Sequence, residues 1–180
     1  MPGPVFTRGD RIELRTVEDE DLPHLQRLRN DPELRVFAGG PPEPFDEPDT
    51  EGFLEWLRED DTMALLACID GEYVGMVTLK RIQRPHDTAD AGVHIAPDEQ
   101  GKGYATEACS LVLDYAFDQL GLHKVGAYSF DFNEPSQALL EKLGFTHEGR
   151  RREERFANGE HHDVHYYGLL AREWRARRDG

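Results

Sequence analysis

Apolar residues along the chain fall in short blocks, and their spacing alternates between two residues and about 3.6 residues. Residues 63–69 and 73–79 are rich in β-prone side chains and flank Asp70-Gly71, a dipeptide that favours a tight type I′ turn. We therefore predict that these two segments pair as an antiparallel hairpin. Asn158-Gly159 predicts a second hairpin near the end of the chain.

Helical spacing recurs in four other segments. The longest, residues 104–116, has one apolar face, and Gly144 marks the end of a shorter helix. The predicted order is strand, helix, helix, three strands, helix, strand, helix and two strands, which describes one mixed α/β domain over residues 1–180. The predicted strands cover residues 12–15, 63–69, 73–79, 89–96, 124–130, 146–156 and 161–170, and the predicted helices lie near residues 22–28, 53–57, 104–116 and 135–143.

Residues 39–48 are rich in proline and acidic side chains. Proline removes a backbone donor and interrupts helices and sheet ladders, so this composition predicts an irregular segment. A loop of this kind is typical of the surroundings of a functional site, and we expect it to help shape one.

The chain of 180 residues carries 36 acidic and 21 basic side chains, a formal net charge of −15. Proteins that bind nucleic acid or anionic membranes usually present a basic patch, so we expect neither kind of partner. The acids are spread over every segment, which indicates a solvated acidic surface. We expect adaptation to high ionic strength, in which salt screens the repulsion between these acids.

The two cysteines, Cys68 and Cys109, do not form a disulfide framework. No apolar stretch approaches the roughly 20 residues that a membrane-spanning helix needs, and the first residues lack the basic and hydrophobic regions of a signal peptide. We therefore expect a cytoplasmic protein.

The segment Val93-His-Ile-Ala-Pro-Asp-Glu-Gln-Gly-Lys-Gly-Tyr-Ala105 joins the end of a predicted strand to the start of the longest helix. The first N–H groups of a helix lack intrahelical acceptors and, with the helix dipole, favour an anion such as a phosphate. Gly101 and Gly103 suit such a loop, because glycine adopts positive φ and places no Cβ against an anion. The pattern matches neither GxxxxGK[ST] nor GxGxxG. Taken alone, the loop is equally compatible with a plain turn before a helix.

Gln100-Gly-Lys-Gly-Tyr-Ala105, which we name the glycine loop, resembles the Q/R-x-x-G-x-G/A loop of the GCN5-related N-acetyltransferases (GNAT). Further motifs follow in the order seen in the ribosomal-protein N-terminal acetyltransferase (RimJ/RimL-type) branch, and the resemblance covers nearly the whole chain. It implies the GNAT fold, a mixed, mostly antiparallel twisted sheet that splays between two middle strands and is flanked by helices. The motifs are His94-Ile-Ala-Pro-Asp, Gly103-Tyr-Ala-Thr-Glu-Ala108, Asn133-Glu-Pro-Ser136, Glu141-Lys-Leu-Gly-Phe145 and Asn158-Gly159.

The resemblance implies acetyl-CoA as co-substrate, with no metal ion. The backbone N–H groups of the glycine loop would hold the pyrophosphate, and the pantetheine arm would add to an exposed strand edge through main-chain hydrogen bonds. The residues that it implies in coenzyme binding are Val93, Ile95, Gln100, Gly101, Lys102, Gly103, Tyr104, Ala105 and Asn133.

Within the same resemblance, Asn133 matches the asparagine that bonds the pantetheine or orients its neighbours, and Ser136 matches a serine near the thiol sulfur. Asn133 is also a favoured helix N-cap, and the two roles are compatible. Many GNAT enzymes carry a tyrosine seven residues after the asparagine as the acid for the leaving thiolate, but this chain has Leu140 there. Ser136, or a water that it holds, is then the candidate donor.

The acceptor must attack as a neutral amine. An α-amine with a pKa near 8 is neutral to roughly a tenth at pH 7, whereas a lysine with a pKa near 10.4 is neutral to less than about a thousandth. The α-amine therefore demands less of the protein. Asp90, His94 and Glu107 are the candidate bases, and Asp90 and His94 share a strand face by alternation. A satisfied, partly buried histidine and a water route for the proton are equally open interpretations.

His161, Asp163 and His165 would lie on one face of the last predicted strand. Side chains two residues apart on a flat strand do not close around zinc without ligands from elsewhere. We therefore predict a surface strand and no metal site.

The sequence leaves several functions open. The leading hypothesis is direct acetyl transfer, in a ternary complex, to a protein or peptide N-terminal α-amine. The alternatives are acetylation of a small-molecule amine, such as an antibiotic or a polyamine, and an acyl-CoA-binding sensor without transfer activity. A homodimer is compatible with each of them.

Overall fold

The computed structural model describes residues 3–37 and 43–180. Its described strands form one eight-stranded sheet, which is antiparallel at every pairing except one. In chain order the strands are β1 Val5–Arg8, β2 Glu13–Thr16, β3 Met63–Ile69, β4 Glu72–Gln83, β5 Thr88–Ile95, β6 Lys124–Phe130, β7 Thr146–Ala157 and β8 Glu160–Leu170. Across the sheet they run β1-β2-β3-β4-β5-β6-β8-β7.

Both hairpins predicted from turn dipeptides are confirmed. Strands β3 and β4 pair antiparallel, and Asp70 and Gly71 between them have φ values of 51° and 83°. Strands β7 and β8 also pair antiparallel, with φ values of 51° and 89° at Asn158 and Gly159. Two successive positive φ values are the signature of the type I′ turn, which matches the right-handed twist of the strands.

The one parallel pairing among the described strands lies in the middle of the sheet. Strands β5 and β6 run parallel and pair only at residues 88–90 with 124–126. Beyond Asp90 and Gly126 the two strands have no register with each other, although β5 continues to Ile95 and β6 to Phe130. The sheet is therefore splayed between its two middle strands, which confirms the predicted fold.

In the described ranges, five α-helices cover the two faces of the sheet: α1 Leu22–Asn30, α2 Glu47–Leu57, α3 Tyr104–Asp114, α4 Glu134–Leu143 and α5 Ala171–Asp179. Met76 on β4 packs with the leucines of α1 and α2, whereas its neighbour Val77 packs with α3, α4 and α5. Between Met76 and Lys80 side chains alternate regularly, so even-numbered residues face α1 and α2, and odd-numbered ones face α3 and α4. Register shifts flank this stretch, and beyond them Val74 and Ile82 lie on the α3 and α4 side. The same alternation along β5 and β6 decides which of their side chains face α1 and α2 and which face α3 and α4.

Three parts of the chain differ from the sequence prediction. The short strand β1 and the helix α5 were not predicted, and β4 continues to Gln83 instead of ending at residue 79. Helix α5 is mostly charged, so its sequence shows little apolar periodicity. It is held by Trp174, whose buried indole donates from Nε1 to Asp114 Oδ1 at 2.9 Å, and by the ion pair between Arg178 and Asp118.

The structure describes part of the proline-rich segment, residues 43–48. Residues 39–42 lie outside the described residues, and Pro48 belongs to the first turn of α2 instead of to a loop. Proline suits that position, because the first turn of a helix needs no N–H donor there. No helix in the described ranges is long and apolar enough to cross a membrane.

Candidate active site

A cavity of about 660 Å³ occupies the gap between the splayed ends of β5 and β6. Its wall is shared by these strands, by the start of α3, by α4 and by the residues after α1. Most residues that the sequence singles out converge on it: Val93, His94, Ile95, Gln100, Gly101, Gly103, Tyr104, Ala105, Asn133 and Ser136. Lys102 and Asp90 do not line it.

The glycine loop leads directly into α3. Gly101 has a φ of 73° and Gly103 a φ of 87°, values that side-chain-bearing residues rarely adopt. Gly103 is the N-cap of α3, and no side chain among the described residues caps this helix start. The first N–H groups of α3 therefore remain available at the cavity wall, where an anionic group fits them.

The side chains of Lys102 and Gln100 form hydrogen bonds within the loop region. Lys102 Nζ donates to Glu99 Oε2 at 3.0 Å, and Gln100 Nε2 donates to the carbonyl oxygen of Ile95 at 3.0 Å. A coenzyme role for Lys102, predicted from the resemblance, would then rest on its backbone alone.

A clamp from the β1–β2 turn holds the glycine loop. Glu107 accepts hydrogen bonds from the backbone N–H of Arg11 at 2.7 Å and of Ile12 at 3.1 Å, and Arg11 Nη1 donates to the carbonyl oxygen of Lys102 at 2.9 Å. Although burial acts to raise the pKa of Glu107, the hydrogen bonds from Arg11 and Ile12 outweigh it and lower that pKa. Glu107 does not line the cavity, so its geometry gives a base role no support.

Asn133 and Ser136 form the corner where α4 begins. Asn133 Oδ1 accepts from the backbone N–H of Ser136 at 3.2 Å, which makes Asn133 the N-cap of α4. Within the described residues the Asn133 side-chain NH₂ and the Ser136 hydroxyl make no hydrogen bond, so both remain free to meet a ligand. Leu140, in the position of the missing tyrosine, is buried and lines the cavity with a hydrocarbon side chain.

On the side of the sheet that faces α1 and α2, the cavity is lined by Lys80, His94, Tyr128 and Phe130, which we name the acceptor wall. His94 is opposite Met76 in the β4–β5 register and so shares its face. Lys80 Nζ lies 5.4 Å from the centre of the Tyr128 ring. Burial lowers the pKa of His94 to about 4, and the charges of Arg29 and Lys80 add to this shift.

Asp90 lies on the same face as His94, as predicted, but at the end where β5 and β6 are still paired. Arg81 Nε donates to Asp90 Oδ2 at 2.6 Å. Since the carboxylate is engaged by a guanidinium and does not line the cavity, the geometry does not support its predicted role as a base.

Histidines near the β7–β8 hairpin contact neighbouring polar side chains. His162 Nδ1 and Asp131 Oδ1 are 3.0 Å apart, and His147 Nε2 and His165 Nδ1 are 3.0 Å apart. In the described part of the chain, no three His, Cys, Asp or Glu side chains are grouped so that they could hold a metal ion.

Sequence reasoning missed Lys80, Tyr128 and Arg11. Lys80 lies one residue beyond the predicted strand end, so alternation along β4 would have placed it on the face of Met76 if the strand had been drawn further. Tyr128 falls inside a correctly predicted strand, but its face could not be assigned without the pairing of β5 and β6. Arg11 gives no local signal, because its partner Glu107 is far away in the sequence.

The fold and the cavity together define a class of protein. An uncapped helix start, a glycine loop and two splayed strands suit an elongated coenzyme with a phosphate group, and the opposite side of the gap admits a second reactant. Such an arrangement is that of a group-transfer enzyme with two substrates.

The chain belongs to the GNAT family of acetyltransferases. A family model described as "Acetyltransferase (GNAT) domain" matches residues 11–146, which is more than half of the chain. The protein is therefore an acetyl-CoA-dependent N-acetyltransferase that transfers an acetyl group to an amine, and acetyl-CoA is its co-substrate. This favours the enzymatic hypothesis over the sensor without transfer activity.

Individual relatives differ in what their names say about the acceptor. The putative ribosomal N-acetyltransferase YdaF of Bacillus subtilis (strain 168) is 33% identical over 173 residues, covering 92% of this chain and 94% of the relative. The spermidine N(1)-acetyltransferase of Escherichia coli (strain K12) is 33% identical over 160 residues, covering 85% and 82%. The crystal structure of spermidine N-acetyltransferase from Vibrio cholerae, in complex with CoA and spermine, has a TM-score of 0.86 at 27% identity and covers 92% of this chain and 99% of that chain.

Proposed function

We propose that this N-acetyltransferase acts on the N-terminal α-amine of a protein or peptide, by direct attack on acetyl-CoA in a ternary complex. In this proposal the glycine loop holds the pyrophosphate, and residues 91–95 of β5 offer the free strand edge to the pantetheine arm. Asn133 bonds that arm. Ser136, or a water that it holds, donates a proton to the leaving thiolate and regains one from solvent water, while the attacking amine releases its proton to water. The acceptor approaches from the face of α1 and α2.

The observation that carries the proposal is the weakness of the available bases. The pKa of His94 is lowered to about 4 by burial, Asp90 is bonded to Arg81, and Glu107 is bonded to Arg11 and Ile12. A site without a strong base suits an amine that is already partly neutral. At pH 7 an α-amine meets this requirement to about a tenth, and an alkylamine near pKa 10.4 to less than about a thousandth. Water carries the proton away in this scheme.

The finer assignments belong to the same proposal. We place the chain in the RimJ/RimL-type branch, treat residues 1–180 as one acetyltransferase domain and expect it in the cytoplasm. Self-association is part of the expectation, and the dodecameric structure of the spermidine N-acetyltransferase from Vibrio cholerae is a precedent among its structural neighbours.

A polyamine is the second candidate acceptor. It is favoured by the names of relatives, since spermidine N(1)-acetyltransferases are 33% identical to this chain. A polyamine requires the site to attract a multiply charged cation and to remove a proton from an ammonium group of high pKa.

Release of free CoA thiol separates the candidates. Purified protein is given acetyl-CoA together with a neutral peptide bearing a free N-terminus, the same peptide with a blocked N-terminus and one internal lysine, or spermidine. The proposal predicts the highest kcat/KM for the free N-terminus and little release with the blocked peptide. Faster release with spermidine than with every peptide would overturn it.

A further inference from the structure

The acceptor wall carries unpaired positive charge in a protein of strongly negative net charge. Lys80 lines the cavity and lies near the Tyr128 ring, and within residues 3–37 and 43–180 its ammonium group forms no ion pair or hydrogen bond. The residues outside these ranges, 1–2 and 38–42, include no acidic side chain. The ammonium group therefore faces the cavity without a carboxylate partner from this chain.

The nearest carboxylate in the strand register does not neutralise Lys80. Lys80 is opposite Asp90 in the pairing of β4 with β5, but the strand bulges directly after Lys80, where Arg81 has a φ of 53°. This bulge lets the Arg81 guanidinium reach Asp90, with Nε 2.6 Å from Oδ2. One cation is thus paired outside the cavity, and its neighbour is left unpaired at the cavity wall.

A second cation approaches from α1. The Arg29 guanidinium lies over the Phe45 ring at 4.4 Å and over the Phe53 ring at 5.1 Å, and its Nε is buried without a hydrogen-bond partner among the described residues. Burial lowers the pKa of Arg29. Arg29 does not line the cavity, but its charge, like that of Lys80, lowers the pKa of His94 on the acceptor wall.

We propose that this pair of cations selects an acceptor that carries an acidic group close to its reactive amine, with Lys80 as the residue that determines specificity. The inference rests on the proposed function and names its substrate class: N-terminal peptides with a carboxylate side chain at the second or third residue. A carboxylate beside Lys80 is attracted and replaces the missing partner, whereas a second ammonium group is repelled. Tyr128 and Phe130 supply the apolar surface beside these charges.

The test compares three peptides that differ only at the second residue, which is glutamate, glutamine or lysine, and adds spermidine. Thiol release gives kcat/KM for each. The wild-type protein is expected to prefer glutamate over lysine by about tenfold at low salt, and the preference should shrink as salt screens the charges. Lys80→Gln should reduce the preference to below about threefold, and Lys80→Glu should reverse it.

Arg172→Gln is the matched control. Arg172 is exposed on α5, on the opposite face of the sheet, so this variant removes the same charge far from the acceptor wall. Its order of peptides should equal that of the wild type. The affinity of Lys80→Gln for CoA should stay unchanged, which shows that the variant is folded and that the effect lies in acceptor selection.

Two results would overturn the inference in different ways. If the three peptides react at equal rates, or if Lys80→Gln keeps the wild-type order, the charge selection is wrong while acetylation of N-termini stands. If no peptide releases thiol and spermidine does, the proposed function is wrong and the inference is lost with it.

Discussion

The two ends of the cavity are built by different means. At the coenzyme end, the chain offers backbone groups: two glycines with positive φ and a helix start without a side-chain cap. At the acceptor end, the acceptor wall offers side chains from β4, β5 and β6, with Arg29 of α1 nearby. The first is a local arrangement within six consecutive residues, and the second exists only because the fold brings distant residues together.

Because of this difference, a family resemblance is more informative about the coenzyme than about the acceptor. Backbone donors are the same in every protein that keeps the glycines, so one coenzyme can be shared across a family. Side chains on a strand face can change singly without altering the fold, so the acceptor can differ between relatives. Names such as ribosomal and spermidine acetyltransferase among relatives of equal identity agree with this view.

The largest effect is expected where the two ends meet, at Ser136. Ser136→Ala removes the proposed proton donor for the thiolate, and general acid catalysis contributes typically about 10²–10⁴-fold. We expect kcat to fall within that range while the KM for acetyl-CoA stays the same. Residual activity should persist, because positioning of the two reactants is untouched. Steady-state thiol release measures both constants.

Ser110→Ala is the control for Ser136→Ala. Ser110 is also half-buried in a helix, where its hydroxyl donates to the carbonyl oxygen of Thr106 at 2.8 Å, but it does not line the cavity. This variant should keep its kcat. An unchanged kcat in Ser136→Ala would mean that the thiolate leaves with a proton from elsewhere.

The next prediction concerns the acceptor end of the cavity and the pH dependence of the folding stability that His94 contributes. The folded protein holds His94 neutral, because burial lowers its pKa from the usual 6.5 to about 4. The unfolded chain binds the proton below pH 6.5, so this contribution to stability is complete above pH 6.5 and is lost as pH falls towards 4. The loss amounts to roughly 3 kcal/mol.

His94→Gln removes this titration while keeping a polar side chain of similar size. Denaturant unfolding at pH 7 and pH 4 should show a loss of stability that is roughly 3 kcal/mol smaller in His94→Gln than in the wild type. The difference between the two proteins cancels acid effects of the other groups, such as Glu107. Parallel loss of stability in both proteins would show that the imidazole is well hydrated.

Parts of this molecule that depend on neighbouring residues were predictable from the sequence, and parts that depend on distant ones were not. Turn dipeptides predicted both hairpins, and Asn133 and Gly144 marked the start and end of α4. Helix α5 was missed because its stability comes from Trp174 and arginine contacts with α3 and the turn after it, instead of from its own periodicity. Lys80 was missed because the predicted strand ended at residue 79, whereas pairing with β5 continues β4 through Lys80 and past a bulge to Gln83.

A smaller effect is expected at the coenzyme end of the cavity, where a substitution of Gly103 should weaken CoA binding. Gly103 has a φ of 87°, and a Cβ there would lie 3.2 Å from Arg11 Nη2. Gly103→Ala costs about 1–2 kcal/mol in this conformation, so the loop should relax and shift its N–H groups. Calorimetry should show CoA affinity weakened by about tenfold, with the KM for the acceptor unchanged.

Gly52→Ala is the control for the loop variant. Gly52 is exposed in α2, and a Cβ there meets nothing within 4 Å, so CoA affinity should stay the same and stability should rise slightly. Equal CoA affinity for Gly103→Ala and the wild type would contradict the assignment of the pyrophosphate to the glycine loop.

The smallest effect separates the acidic surface from the acceptor wall, because salt acts on them in opposite ways. Screening should relieve repulsion among the surface acids and raise Tm by about 2–4 °C between 0.1 and 2 M NaCl, which corresponds to roughly 1 kcal/mol for a chain of this size. The same screening should weaken selection of acidic acceptors by Lys80.

The combined variant Glu51→Gln, Glu59→Gln and Asp60→Asn neutralises three exposed acids. Its Tm should rise less than that of the wild type over the same range of salt. A Tm that does not change with salt in either protein would exclude salt adaptation as the reason for the net charge of −15.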